Sequence, residues 1–440
     1  MESLPFHLLE EIFFKLDPKS LAMMQCTEKS IKSHISDDPY FISEYLSRIG
    51  SGLLHISTFG SNIILFCNPL GDSRIFRNND TLDTKYHLIG SCSGLLLLFV
   101  DSLCVMNPIT KMFRSLDHSK SNLLSGIIRG ATPWDSRFKL QWWKKYCIGF
   151  AVDQIDRTTQ RFKIVCIIEL NALNPDETTY QFETSTGDSC WKLSETIITC
   201  CSSNLVLGQK PVYFDGDLHW LRNDGSVVTF NPETEKARLI QIKYPQEVSL
   251  KTYKLFAVVH GLTLVSVREE VIYVYAMENI LTDPKWVLVK RIRNEVLDKV
   301  RMKYWNVEAY DGKCLVVRGM KMESYDGVLY SYDLSANKWR VMGSIPGSCD
   351  SSRDFYQFKP SFSSAIELNE KVDVDKISSI SKIMRLIDGS SPYVQSMVKK
   401  KETRLGKRSM IEDETKLIMM EEPSSKCMDV ENINKRRRIK

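Results

Sequence analysis

Tyrosine set aside, no apolar run in this 440-residue chain is longer than the six residues from Leu95 to Val100. A membrane-crossing helix needs about 20, so no membrane partner is expected. The opening MESLPFHLLEE is acidic and lacks the basic-then-apolar layout of a secretory leader. A nuclear and/or cytoplasmic location is the default expectation. Twelve cysteines are scattered without one C-x-x-C pair, and the seven histidines include no H-E-x-x-H. Cys200 and Cys201 are adjacent, which suits neither a metal tetrahedron nor an ordinary disulfide. The cysteines are therefore read mostly as small buried hydrophobes. No metal site is expected, and no glycine loop of the phosphate-binding type implies a cofactor.

The body also lacks net charge. The chain carries +5, and Ser396 to Lys440 hold thirteen Lys and Arg against eight Asp and Glu. The remainder has forty-six of each sign, so the body offers phosphate no overall attraction. Nucleic acid is not the expected partner.

What is present first is helical. Ser3 can cap a helix with Pro5 in its first turn, and Leu8, Leu9, Ile12, Phe13 and Leu16 recur at helical spacing. Asp17-Pro18 ends that helix and opens another, with Leu21, Met23 and Met24. Thr27 can cap a third helix bearing Ile31 and Ile35, and Asp38-Pro39 begins a fourth with Phe41, Leu46 and Ile49. Four such short helices share little core and gain from a partner.

After Gly50 the pattern becomes short β runs separated by turns. Strands are expected at 63–66, 95–100, 162–169, 227–230, 271–275, 314–317 and 328–332. Asp215-Gly216, Asp224-Gly225, Asp311-Gly312 and Asp326-Gly327 punctuate them. VMNPITKMFRSL from Val105, VTFNPETEKARLI from Val228 and YSYDLSANKWRVM from Tyr330 share one plan, with a looser copy from Val274. Each is a strand ending in Asn or Asp, a polar turn and a second strand. The last three copies start about 50 residues apart, the length of a four-stranded propeller blade. The paired glycines of the kelch repeat are missing. The tail from 399 to 440 has no aromatic residue and no sustained period, and it reads as disordered.

The string LPFHLLEEIFFKL with DPKSLAMMQC and ISDDPYF resembles the F-box. Pro5, Leu8, Leu9, Ile12, Leu16, Pro18, Lys19, Ser20, Leu21, Cys26, Ile35, Ser36, Pro39 and Phe41 follow its pattern in order; Ile31 stands where the family's Trp is usual. GSCSGLLLLF, GFAVDQIDRTTQRFKIV, PVYFDGDLHWL and SPYVQSMV resemble blocks of the F-box-associated domain of plants. The resemblance implies a mainly β, kelch-like propeller body at 50–398, a small all-α F-box at 1–48 and a disordered basic tail at 399–440. It further implies a non-catalytic substrate receptor of an SCF-type ubiquitin ligase. The Skp-family adaptor, and through it a cullin, would dock on Leu4, Pro5, Leu8, Leu9, Ile12, Leu16, Pro18 and Leu21. The alternative is an interaction protein that binds the Skp partner, or works in the nucleus, outside any ligase.

Other motifs bear on chemistry. Gly90-Ser91-Cys92-Ser93-Gly94 imitates a hydrolase elbow, but that elbow stands between strand and helix. Here a strand follows, and a tight β-turn is expected. Trp142-Trp143-Lys144-Lys145-Tyr146 mixes aromatics with bases, as single-strand nucleic-acid sites do. In a neutral body it reads better as a strand start. Trp142 and Trp143 are then candidate target contacts, as is His219 beside an inward Trp220. The loops near Trp134 to Trp143, Asn171 to Thr179 and Met320 to Asp326 are further candidates. Lys435, Arg436, Arg437 and Arg438 suit an importin groove; a phosphate patch or a merely solvated end are the other readings.

Overall fold

A computed structural model describes residues 5–16, 18–49, 52–56, 63–67, 73–77, 86–100, 102–108, 110, 112–124, 147–155, 159–171, 176–187, 190–206, 208–248, 254–268, 270–294, 302–321, 327–345, 355–361 and 364–365. The chain divides into a unit from Met1 to Asp388, which holds all of these, and a unit from Gly389 to Lys440.

Four helices come first: α1 (Phe6–Phe13), α2 (Pro18–Met24), α3 (Lys29–Asp37) and α4 (Pro39–Ile49). Pro5 itself precedes α1 at the cap position, where its missing N–H costs nothing. Asp38 caps α4 as expected, its carboxylate accepting the N–H groups of Tyr40 (2.9 Å) and Phe41 (3.2 Å). Thr27 does not cap α3. Its hydroxyl donates back to the Met24 carbonyl at 2.7 Å, and α3 starts after Glu28 without a side-chain cap. Phe13, Leu21, Ile35, Phe41 and Tyr45 form the shared core. The Tyr45 hydroxyl, donating to the Leu16 carbonyl at 2.8 Å, ties α4 to the end of α1.

From Gly52 onward the described residues form six antiparallel sheets. The second is made of Tyr86–Cys92, Leu95–Val100, Ser102–Asn107 and Met112–Leu116. The third contains Ile148–Gln154, Thr159–Asn171, Glu177–Ser185 and Trp191–Cys201, with Ser364–Ala365 added in parallel. The fourth is Val212–Phe214, Asp217–Leu221, Val227–Asn231 and Lys236–Ile240. The fifth is Lys254–Val258, Leu262–Arg268, Val271–Glu278 and Lys285–Arg293. The sixth is Met302–Tyr310, Cys314–Lys321, Gly327–Asp333 and Lys338–Ile345. The first sheet joins the two ends of the body: Gly52–Ile56, Ile63–Cys67 and Ser73–Arg77 pair with Phe355–Phe358, which takes the innermost place. The first strand of each sheet touches that of the next, and Phe355–Phe358 touches those of the sixth and second sheets. The ring is thereby closed, and the body is a six-bladed β-propeller.

Because each blade sits between two others, its middle strands are buried on both faces. Leu95, Leu96, Leu97 and Leu98 are all fully buried, which is why that strand reads as a continuous apolar run without alternation. One face of the fourth blade puts Leu218, Trp220, Val228 and Phe230 against Phe182 and Val165 of the third. Its other face puts Leu221, Val227 and Ile240 against Phe256 and Leu264 of the fifth. Outer strands such as Trp191–Cys201 alternate between exposed and covered residues.

The four repeated strings are the outer hairpins of blades two, four, five and six. In blades two, four and six the Asn or Asp ending the strand holds the turn. Asn231 accepts from the Glu233 and Thr234 amides at 3.0 and 2.8 Å. Asp333 does the same for Ser335 and Ala336, both at 3.0 Å. Those N–H groups hold the Asp333 carboxyl below the ordinary carboxylate range. Glu235 and Asn337, with φ of 53° and 51°, then turn the chain into the returning strand.

Candidate functional site

The helical module presents an apolar face of its own. Leu8 and Ile12 lie one turn apart on α1 and remain 42% and 45% exposed. Pro5 is exposed beside them, and Met23 and Tyr40 are more exposed still. Leu9 and Leu16 are half-buried and pack against the helical core, as does Ile31. Leu21, expected on the docking face, is instead fully buried; its place on α2 turns it toward Phe13 and Phe41. Leu4 and the Pro18 side chain fall outside the described residues.

Glu10, His34 and Asp38 bring three ligand-type atoms within 4.8 Å of one another, the one such group among the described residues. The His34 ring stands 3.1 Å from Glu10 and 3.4 Å from Asp38, tilted against the Phe41 ring at 4.9 Å between centres. The trio ties α1 to α3. Cys104, Cys147, Cys166 and Cys314 are buried as expected, whereas Cys26, Cys190 and Cys201 are exposed.

At the axis of the propeller, all six innermost strands line a cavity of about 470 Å³. Side chains tie its wall from blade to blade. The Tyr356 hydroxyl of blade one donates to the Ile89 carbonyl of blade two at 2.7 Å, and Ser91 Oγ donates to the Gln357 carbonyl at 2.8 Å. Tyr213 of blade four donates to Asp153 of blade three. Gln209 donates to the Lys254 carbonyl and accepts from the Phe256 amide at 3.0 Å, joining blades four and five. Lys210 leaves blade four and reaches the Phe355 carbonyl of blade one, with its Nζ 3.8 Å from the Tyr356 ring centre. Blades one and four are opposite in a ring of six, so this side chain crosses the cavity.

Glu308 and Arg318 are buried near the seam between blades six and one, 2.9 Å apart. Their atoms meet without the alignment of a hydrogen bond. Burial pushes the Glu308 carboxyl up to about 7, although Arg318 and Lys210 pull the other way. Burial likewise lowers the Lys254 ammonium. These residues gave no motif in the sequence. The one local signal was a lone charge inside an apolar strand, as in YWNVEAY and CLVVRGM.

The Gly90 to Gly94 motif forms a hairpin turn, as expected. Ser93 and Gly94 take φ of 47° and 84° between two strands. A Cβ on Gly94 would lie 2.3 Å from that of Ser361, and one on Gly90 would lie 2.9 Å from that of Phe150. The glycines admit the chain end and the neighbouring blade. Burial pushes the Cys92 thiol up to about 11.

A family model for the F-box associated beta propeller domain matches residues 54–296. An Arabidopsis thaliana protein named as an F-box protein is 53% identical over 417 residues, covering 89% of this chain and 98% of its own length. Two Arabidopsis proteins named as F-box/kelch-repeat proteins are 54% and 42% identical over 382 and 409 residues. They cover 85% and 88% of this chain and 80% and 96% of their own lengths. The chain belongs to the plant F-box proteins with an F-box-associated β-propeller.

In this F-box protein the propeller extends past the matched residues, through blade six and back to blade one. His219, a candidate target contact, is 1% exposed. It lies on the face of blade four opposite Trp220, beside Phe214, and burial lowers its imidazole to about 4. It is neutral packing and not surface. Trp142, Trp143 and Lys435 to Arg438 lie outside the described residues. Of the candidate loops, Asn171 and Glu177 to Thr179 belong to paired strands, as do Met320 and Lys321.

Proposed function

We propose that this chain is the substrate-recognition subunit of an SCF-type ubiquitin-protein ligase. The F-box holds a Skp-family adaptor and through it a cullin, while the propeller holds a target protein. The chain itself makes and breaks no bonds. It raises the effective concentration of target lysines beside the charged ubiquitin carrier. The observation that carries this reading is the exposed Leu8 and Ile12 pair on α1, in a module whose core residues lie elsewhere. Fully burying a side chain of this kind contributes about 1.5–3 kcal/mol. The lining of the cavity includes no histidine, and burial raises the Cys92 thiol. Lys435 to Arg438 would direct import into the nucleus, where such a ligase can meet nuclear targets.

The test is co-purification of the full chain with a Skp-family adaptor, beside a Leu8→Asp/Ile12→Asp variant. Both positions are exposed, so the bundle should survive. The native chain is expected to hold the adaptor, and the variant to lose roughly 100-fold or more in affinity, from about 3 kcal/mol of lost burial. Equal binding by both would remove the docking face from the account. Adaptor binding that never recruits a cullin would favour a role outside the ligase.

A further inference from the structure

The polar side chains around the axial cavity are engaged with the surrounding protein and not with the space they enclose. Three of them reach partners behind the lining. The Lys254 ammonium lies over the Tyr244 ring, 4.9 Å from its centre, the Tyr213 hydroxyl donates to Asp153, and Glu308 faces Arg318 at 2.9 Å. Tyr244, Asp153 and Arg318 do not line the cavity. Four more are bonded into the wall: Lys210, Gln209, Ser91 and Tyr356 each donate to a main-chain carbonyl of another blade. Lys359 also lines the space, but it is exposed to solvent, which screens its charge. The surface left to a ligand is mainly hydrocarbon, from Ile89, Phe150, Leu255, Ala257, Val307 and Phe355. At about 470 Å³ the cavity has the size of a small-molecule site, for which roughly 300–1,000 Å³ is usual. The bonds between blades hold it in shape before any ligand arrives.

We propose that this cavity binds a small uncharged aromatic molecule of one or two rings. An ion of either sign would give up its hydration on entry and meet side chains that already have partners. An uncharged ring gives up little and covers apolar wall in return. Phe150 and Phe355 supply the aromatic surfaces on which such a ring can pack edge-on or offset. All six blades contribute to the lining, so the ligand fits only the closed ring and stabilises it against unfolding. The site does not depend on the adaptor or on the ligase reading.

Calorimetric titration of the full chain tests this, with the neutral 2-naphthalenemethanol as the probe and two charged counterparts, 2-naphthoate and 2-naphthylmethylammonium, as comparisons. The expected result is one-to-one saturation by the alcohol, at least about tenfold tighter than either ion. Leu255→Trp, at a half-buried position of the lining, fills part of the space and should weaken the alcohol by about tenfold or more. Val258→Trp, at a second half-buried position of the same strand, repeats this test should the first variant fold poorly. The ranking of the three probes on the native chain needs no variant at all. No saturable binding of the alcohol, an ion that binds as tightly, or undiminished binding by a folded tryptophan variant would overturn the proposal.

Discussion

Buried charge in this propeller is of two kinds, and the side chains show which is structural. Arg222 is fully buried and donates to Tyr180, to Ser226 at 2.8 Å and to the carbonyls of Cys201 and Ser203, with Asp224 at 3.2 Å. It fastens blade four to blade three. Glu308 is different: it faces Arg318 without aligned hydrogen bonds, and burial raises its carboxyl to about 7. The folded chain thus holds this proton more tightly than the unfolded chain, whose glutamate titrates near 4.3. The stability due to Glu308 is fully present below about pH 4.3 and is lost as pH rises through about 7. Urea denaturation of the native chain and Glu308→Gln at pH 5 and pH 8 should show the native chain losing on the order of 1–3 kcal/mol relative to the variant. Parallel behaviour at both pH values would mean that Glu308 is not held protonated. None of this was legible in the sequence, because a single glutamate in a strand says nothing of which seam covers it. His219 failed for the same reason. Period-two alternation places it opposite Trp220, but a blade has a neighbour on each face, so opposite to the core is core again.

Among the elements, the outer hairpins were the most legible and the closing strand the least. Asn231 and Asp333 bond amides two and three residues ahead, so the signal is local and repeats wherever the turn repeats. Asp215-Gly216, with φ of 50° and 78°, likewise declares its own hairpin. Phe355–Phe358 has four residues, and its partners are some three hundred residues away in sequence. No local pattern reveals such a pairing. Its anchoring is nonetheless specific. Tyr356 donates to the Ile89 carbonyl, and Asn107 Nδ2 reaches the Ser361 carbonyl at 2.9 Å. Tyr356→Phe keeps the ring under Lys210 but leaves that buried carbonyl unpaired, which should cost about 1–3 kcal/mol. Urea midpoints of the two chains measure this, and an unchanged midpoint would show that the closure does not depend on the bond.

For the molecule as a whole, the division of labour follows from where apolar surface is left uncovered. The propeller closes on itself, each blade covering the faces of its neighbours. The four-helix module has a small core of five fully buried residues and leaves Leu8, Ile12, Met23 and Tyr40 outside it. The stripe itself was legible as helical spacing, whereas the burial of Leu21 needed the packing of α2 on α1 and α4. A module so exposed gains stability from a partner, while a closed ring offers a rigid platform for loops that meet a target. The most direct measurement is reconstitution of the full chain with a Skp-family adaptor and a cullin, followed by size-exclusion chromatography with light scattering. The account predicts a single co-eluting complex with one copy of each chain. A propeller protein that elutes alone in the presence of both would contradict it.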